Sequence, residues 1–345
     1  MPLRDCRLWL AGLAFPLAAM LAACAEAPYA PSPDTDRRDV GSGESDETSQ
    51  TLAPGEVTAK GGRPKSITEF ACPGGNTIKP GLNNNFMVNG AARTLTADFP
   101  AKTDQPMAVI FSWHGYQQDT EQFRKEVQFN PNQDPAIPAI IVTPDDTNIL
   151  PPLGLDWKIV NPAPGQVNVD LAFFEAMLGC LNAQHKIDAT RIYSTGFSAG
   201  SVMTSLLHAE YPKVVTTVAN ISGAWMNDKA ETASIAFPLN GIAWNWPPLD
   251  SADRGNVLLT HGGDSDVTVA NIMNLEKSAQ AAFPYLKVNR RTVVDCAHDK
   301  GHTGHPEVPA AVITKYLFAH RTGQPSPYAN GAFGGYPGSC QLRLP

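Results

Sequence analysis

The chain has 345 residues, with 33 acidic against 26 basic side chains and a net charge of −7. That balance, with no basic patch along the sequence, argues against a nucleic-acid partner. The 30 prolines and 28 glycines suit a loop-rich exported protein, and no internal repeat is found.

Met1 to Ala23 resembles a bacterial lipoprotein signal peptide. Arg4 and Arg7 give the positive start, and Leu8 to Ala22 is mostly apolar but short and alanine-rich for a membrane span. Leu21-Ala22-Ala23-Cys24 then matches the lipobox. The resemblance implies cleavage before Cys24, lipidation of Cys24 and attachment to the cell envelope or surface. Ala25, in place of an aspartate, resembles the outer-membrane sorting of enteric lipoproteins. Residues 24–65 read as the lipidated cysteine followed by a disordered acidic linker. Asp34, Asp36, Asp39, Glu44, Asp46 and Glu47 stand there among Pro, Ser, Gly and Thr, with few large apolar residues to offset the entropy of ordering. Residues 66–345 are long enough for one large single-core domain.

Phe86–Val88 and Arg93–Phe99, joined through Asn89-Gly90, predict an opening hairpin. Met107–Trp113 is almost continuously apolar, as a strand buried on both faces requires, and it ends in His114-Gly115-Tyr116. Ala139–Thr143 reads as another buried strand. A Pro/Gly loop from Pro151 to Gly165 carries Asp156 and Trp157. Leu171, Phe174, Leu178 and Leu181 mark one face of a helix starting at Asn168. Arg191–Thr195 reads as a strand, Gly196-Phe197-Ser198-Ala199-Gly200 is a G-x-S-x-G, and Val202, Met203, Leu206 and Leu207 begin a helix. Strand, motif and helix together make a nucleophile elbow, with Ser198 at the apex and the Ala199 N–H facing developing negative charge.

A strand follows at Val214–Ala219, then an irregular insertion over Ala224–Arg254 with Trp225, Trp244 and Trp246. The next strand, Asn256–Thr260, leads into His261, Asp264 and Asp266. A helix is expected around Val269–Ala281. A more polar strand over Lys287–Asp295 suggests a sheet edge, and it leads to Cys296, His298 and His302. Glu307–His320 reads as the last helix. Alternating strands and helices predict an α/β, doubly wound, mostly parallel sheet with helices on both faces. Ser198, then Asp264 or Asp266, then His302 lie at successive strand ends, in the Ser–acid–His order of α/β-hydrolases.

From Met107 to Pro306 the chain resembles the polyhydroxybutyrate depolymerase and feruloyl esterase group of carboxylesterases. The matching pieces are His114-Gly115, Asp170-Leu-Ala-Phe173, Asp188-Ala-Thr-Arg191-Ile-Tyr193, Gly196 to Gly200, His261 to Val269, and Gly301-His302-Thr303. The resemblance implies a Ser198–Asp266–His302 triad and an oxyanion hole of Ala199 and Tyr116 N–H groups. It implies an ester substrate, either a polyester or an aryl or acetyl ester of plant polysaccharide, and no cofactor. The acid loop is one residue longer than the family's. Asp266 keeps the spacing to Val269, which favours it over Asp264. Pro306 lies one residue further from His302 than in the family, and Ala199 and Ser201 replace asparagine and glycine, changes that bear on substrate rather than chemistry.

His298 and His305 compete with His302 for the role of base, but only His302 has the Gly301 and Thr303 flanks. These three histidines show no regular metal-ligand spacing, so no metal is expected. His261 is expected to bond backbone at the start of its loop, and His114 to shape the oxyanion loop. The three insertion tryptophans either stack on a substrate ring, sugar or polyester surface or pack the insertion. Among the exported cysteines, Cys72, Cys180, Cys296 and Cys340 predict two disulfides. Cys180 at the bottom of the sheet and Cys296 at the top are too far apart to bond. The expected pairing is Cys72–Cys296 with Cys180–Cys340.

Overall fold

The longest apolar stretches of the chain become the inner strands of one sheet. The computed structural model describes residues 63–146, 156–162, 166–226, 243–268 and 272–345. The segment expected to be a leader, Cys24 and nearly all of the expected acidic linker lie outside these residues. A hairpin of β1 (Gly81–Val88) and β2 (Ala91–Asp98) turns through Asn89 and Gly90, whose φ values of 49° and 81° suit that tight turn. There follow β3 (Met107–Trp113), α1 (Thr120–Val127), β4 (Ala139–Pro144), α2 (Val169–Gln184), β5 (Ile187–Phe197) and α3 (Ala199–Glu210). The remainder is β6 (Thr217–Ile221), β7 (Asn256–His261), α4 (Leu275–Val288), β8 (Thr292–Ala297), α5 (Ala310–Phe318) and β9 (Cys340–Arg343).

Among the described residues the sheet order is β1-β2-β4-β3-β5-β6-β7-β8-β9. Strands β4 through β8 run parallel, while β1, β2 and β9 are antiparallel additions at the two sides. Alternate residues of β3 serve opposite faces. Val109, Phe111 and Trp113 join the core beneath α2 and α3, and Ala108 and Ile110 join the core beneath α5. Helix α2 is buried from Asp170 to Leu181, so its apolar residues are not confined to one face. Its buried Asp170 is paired with Arg93 at 2.7 Å. No helix of the described residues is long and apolar enough to cross a membrane.

The disulfide pairing differs from the expectation. The bonds are Cys72–Cys180 and Cys296–Cys340. The segment before β1 crosses the end of α2 so closely that a Cβ on Gly179 would lie 2.3 Å from the Ala71 carbonyl oxygen, which brings Cys72 to Cys180. At the other side, β9 pairs with β8 and places Cys340 directly opposite Cys296 in the ladder. The same strand corrects the expected edge: β8 starts at Thr292, is flanked on both sides, and is buried over most of its length. Lys287 belongs instead to α4, which begins at Leu275 and continues through Pro284.

After α5, His320 is buried and serves two neighbours as a neutral ring. Its Nδ1 donates to the Tyr316 carbonyl at 2.8 Å, and its Nε2 lies 2.9 Å from the Ser326 hydroxyl. Burial pushes its pKa down to about 4. The folded pKa is below the unfolded value, so the unfolded chain binds the extra proton. Stability is fully present above about pH 6.5 and falls as pH drops from there to about 4. The loss is on the order of 3 kcal/mol. Urea unfolding at pH 7.5, 5.5 and 4.5 should therefore show the wild type losing stability faster than His320→Gln, with the gap between them narrowing toward acid.

Candidate active site

Strand β5 delivers the chain to Ser198 and α3 leaves from it, so the turn has no room to spread. Ser198 sits at φ 54° and ψ −119°, a conformation that L-residues seldom adopt. The glycines of the motif allow close approach here. A Cβ on Gly196 would lie 2.4 Å from the Gly200 carbonyl, and one on Gly200 would lie 2.1 Å from the Trp113 carbonyl oxygen. The side chain of Ser198 does not cap α3. Its Oγ lies 2.9 Å from His302 Nε2, and His302 Nδ1 lies 2.8 Å from Asp266 Oδ1.

Asp266 is fully buried, and its second carboxylate oxygen accepts from the Gly262 N–H at 2.8 Å. The backbone N–H of Asp266 donates to Gly263 and its carbonyl accepts from Leu275, which holds the carboxylate between β7 and α4. Asp264 is exposed on the turn before it. The loop carrying His302 is laced to the acid loop. His298 N–H donates to the His261 carbonyl and Gly301 N–H to the Gly262 carbonyl, at 2.9 and 3.0 Å. A Cβ on Gly262 would collide with Gly301. Phe197 stacks on the His302 ring at 4.9 Å between centroids.

His261 departs from its expected role of bonding backbone. It bridges two carboxylates, with Nε2 2.8 Å from Asp295 and Nδ1 against Glu276. Burial opposes its charge, but the Asp295 and Glu276 carboxylates outweigh burial and raise its pKa. Glu276 also accepts from the Gly263 N–H, so this ion cluster fixes the root of the acid loop. His305 uses both ring nitrogens locally, toward the Ala297 carbonyl and the Glu307 N–H. Burial lowers the pKa of both His298 and His305. Neither reaches Ser198 or Asp266 by a hydrogen bond.

The loop after β3 is held from several sides. His114 Nδ1 bonds the Gly115 carbonyl at 2.9 Å, Gly115 N–H donates to Gln118 Oε1, and Gln117 N–H donates to Asp156. Trp157 Nε1 donates to the His114 carbonyl at 2.9 Å. The N–H of Tyr116 has no acceptor among the described residues, and neither does α3 supply one for its first residue, Ala199. Burial, reinforced by the nearby Asp146 carboxylate, pushes Asp156 up to about 6 against the effect of the Gln117 N–H. The roles of Gln118, Asp156 and Trp157 were not legible as site features, because each acts on a loop distant in sequence.

Trp225, Trp244 and Trp246 are placed in the core, with 1%, 4% and 8% of their surface exposed. Trp225 packs edge-on against His208, and Trp246 Nε1 donates to the Ile159 carbonyl. Of the two expectations for these rings, the structure places them as packing residues with little face open to a substrate.

Residues 98–239 match the family described as Esterase PHB depolymerase. Feruloyl esterase D of Neurospora crassa is 30% identical over 163 residues, covering 45% of this chain and 54% of that protein. A solved structure described as native sOPH superposes with a TM-score of 0.63 at 20% identity, over 80% of this chain and 97% of that one. The chain has the α/β-hydrolase fold, and its residues 98–239 are similar to the Esterase PHB depolymerase family. A poly(3-hydroxyalkanoate) depolymerase C from Paucimonas lemoignei matches at 45% identity over 47 residues, 14% of the chain and 11% of the depolymerase. The chain thus spans about half the length of the feruloyl esterase and a small part of the depolymerase. The family match covers β3, the loop after it and the elbow, whereas Asp266 and His302 lie beyond it.

This arrangement separates the two aspartates by experiment. Asp266→Asn should lower turnover of a p-nitrophenyl ester by about 10⁴-fold, the scale seen when a triad carboxylate is neutralised. Asp264→Asn should stay within a few-fold of wild type. Circular dichroism of both variants checks folding, and the reverse ranking would reassign the acid.

Proposed function

We propose that the chain is an exported, lipid-anchored serine carboxylesterase acting through a Ser198–His302–Asp266 triad and an acyl-enzyme. The observation that carries this reading is the unbroken hydrogen-bond chain from Ser198 Oγ through His302 to the buried Asp266, set on a strained elbow at a helix N-terminus. In the proposed reaction Ser198 Oγ attacks the ester carbonyl and His302 Nε2 takes its proton. Asp266 holds the Nδ1–H tautomer and balances the imidazolium. The N–H groups of Ala199 and Tyr116 receive the oxyanion; one such donor is worth roughly 10²–10³ in rate. His302 then gives its proton to the departing alkoxide. A water molecule repeats the sequence on the acyl-enzyme and releases the acid.

The relatives' names point to two substrate classes, feruloyl esters and polyhydroxyalkanoates. Turnover of methyl ferulate, acetylated xylan, short p-nitrophenyl esters, polyhydroxybutyrate and a matched amide would rank them and distinguish an esterase from a peptidase. Ser198→Ala should remove activity on every ester by several orders of magnitude, on the order of 10⁶, without unfolding. Wild-type turnover in that variant would overturn the reading.

The anchor rests on the lipobox at Leu21–Cys24 and the acidic linker after it. Several acyl chains on one residue give stable attachment. Cys24→Ala should leave the protein unlipidated, so that it no longer partitions into detergent as a mature species. Retention of the lipid-bearing form in that variant would exclude Cys24 as the anchor.

A further inference from the structure

Beneath the loop that presents Tyr116, three segments converge on one point. His114 ends β3, Asp146 follows β4, and Asp156 opens the segment that carries Trp157. His114 Nδ1 lies 2.9 Å from the Gly115 carbonyl oxygen, which can only accept. In the neutral ring the hydrogen is therefore on Nδ1, and Nε2 is a lone pair. That lone pair faces the Asp146 carboxylate at 3.7 Å, and Nε2 and one oxygen from each of Asp146 and Asp156 all lie within 4.8 Å of one another. His114 and Asp156 are 0% and 1% exposed, and their atoms Nε2 and Oδ1 have no hydrogen-bond partner among the described residues. The His114 lone pair and the Asp156 oxygen are both acceptors and offer each other no donor. Such unpaired buried atoms are destabilising unless something positive lies among them.

We propose that His114, Asp146 and Asp156 bind a divalent transition-metal ion of the zinc or manganese type, which braces the oxyanion loop from below. One imidazole nitrogen with two carboxylate oxygens is a mixed N/O donor set. It suits these ions better than calcium or magnesium, which take oxygen ligands. The outer contacts agree with this use. The second ring nitrogen of His114 is tied to a backbone carbonyl, as metal-bound histidines usually are, and the other Asp156 oxygen accepts from Gln117 N–H. The Asp146 side chain is 12% exposed and its neighbour Asp145 is 40% exposed, so the site has a route to solvent. The ion would join the ends of β3 and β4 to the strut that holds Gln117, the residue next to Tyr116. It has no part in the Ser198–His302–Asp266 relay.

The test uses the purified full-length protein, stripped with chelator and dialysed at pH 7.5. Titration with zinc chloride or manganese chloride, followed by calorimetry and thermal melting, should show one bound equivalent. The melting temperature should rise by about 5 °C at saturating metal. Calcium and magnesium should give a much smaller rise. Asp156→Asn and Asp146→Asn should each weaken metal binding by ~10-fold or more. Asp146 is the more exposed ligand, so its variant keeps the test readable should Asp156→Asn fail to fold. The proposal is overturned by a wild type that shows neither stoichiometric binding nor a melting shift with either metal. It is equally overturned by a shift that persists at full size in Asp146→Asn, which would assign the ion to other histidines.

Discussion

The contact on which the rest of the site depends is the approach of the first turn of α3 to the end of β3. With no Cβ at Gly200, the helix start lies against the Trp113 and His114 carbonyls. That closeness brings the Ala199 N–H and the loop carrying Tyr116 to the same place, and it forces Ser198 into its positive-φ turn. Strain of this kind costs on the order of 1–3 kcal/mol and persists only where the surroundings over-determine it. Here the surroundings are the fully buried β3 and the buried Ile192–Gly196 stretch of the parallel β5, with Trp113 bonded through its indole N–H to Ser194. The stiff part of the molecule thus carries Ser198 and the Ala199 and Tyr116 N–H groups, and the loops carry Asp266 and His302.

Those loops are rigid for a different reason. The chain after β7 and the chain after β8 are hydrogen-bonded to each other through backbone groups, and Ser222 ties the second to the end of β6 by bonding the Thr303 carbonyl. His261, between Glu276 and Asp295, adds a charged knot at the point where both loops leave the sheet. Arg343 lies against Asp295 as well, so that knot extends to β9. Buried ion clusters contribute less to stability than to a defined geometry, because desolvation offsets much of their attraction. A defined geometry is what the placement of Asp266 and His302 requires.

Legibility in the sequence tracked the range of the interactions. The elbow is local: strand, glycines, serine and helix are contiguous, so its residues announce it. Asp266 stood out from Asp264 through spacing alone, and the structure sets the first in a buried hydrogen-bonded position and the second in solvent. What the sequence concealed was long-range. Cys340-Gln341-Leu342-Arg343 is too short and too polar to read as a strand, and without β9 neither the partner of Cys296 nor the interior position of β8 could be inferred. Pro284 inside α4 made the expected helix end near Ala281, so that Lys287 was read into the following strand, since proline ends most helices. The tryptophans drew attention as large aromatics in an irregular region, but their indoles were needed to fill the core under the helices.

Strand β9 bears on the order of assembly. The sheet is completed by four residues that come well after His302 in the chain, and they form the ladder that flanks β8, from which the histidine loop departs. During synthesis the Ser198 elbow therefore emerges early, and the loop that carries His302 is supported last. Until residues 340–343 have arrived and paired, β8 is a bare edge able to recruit a stray strand. The placement of His302 is in this way coupled to the pairing of residues 340–343 with β8.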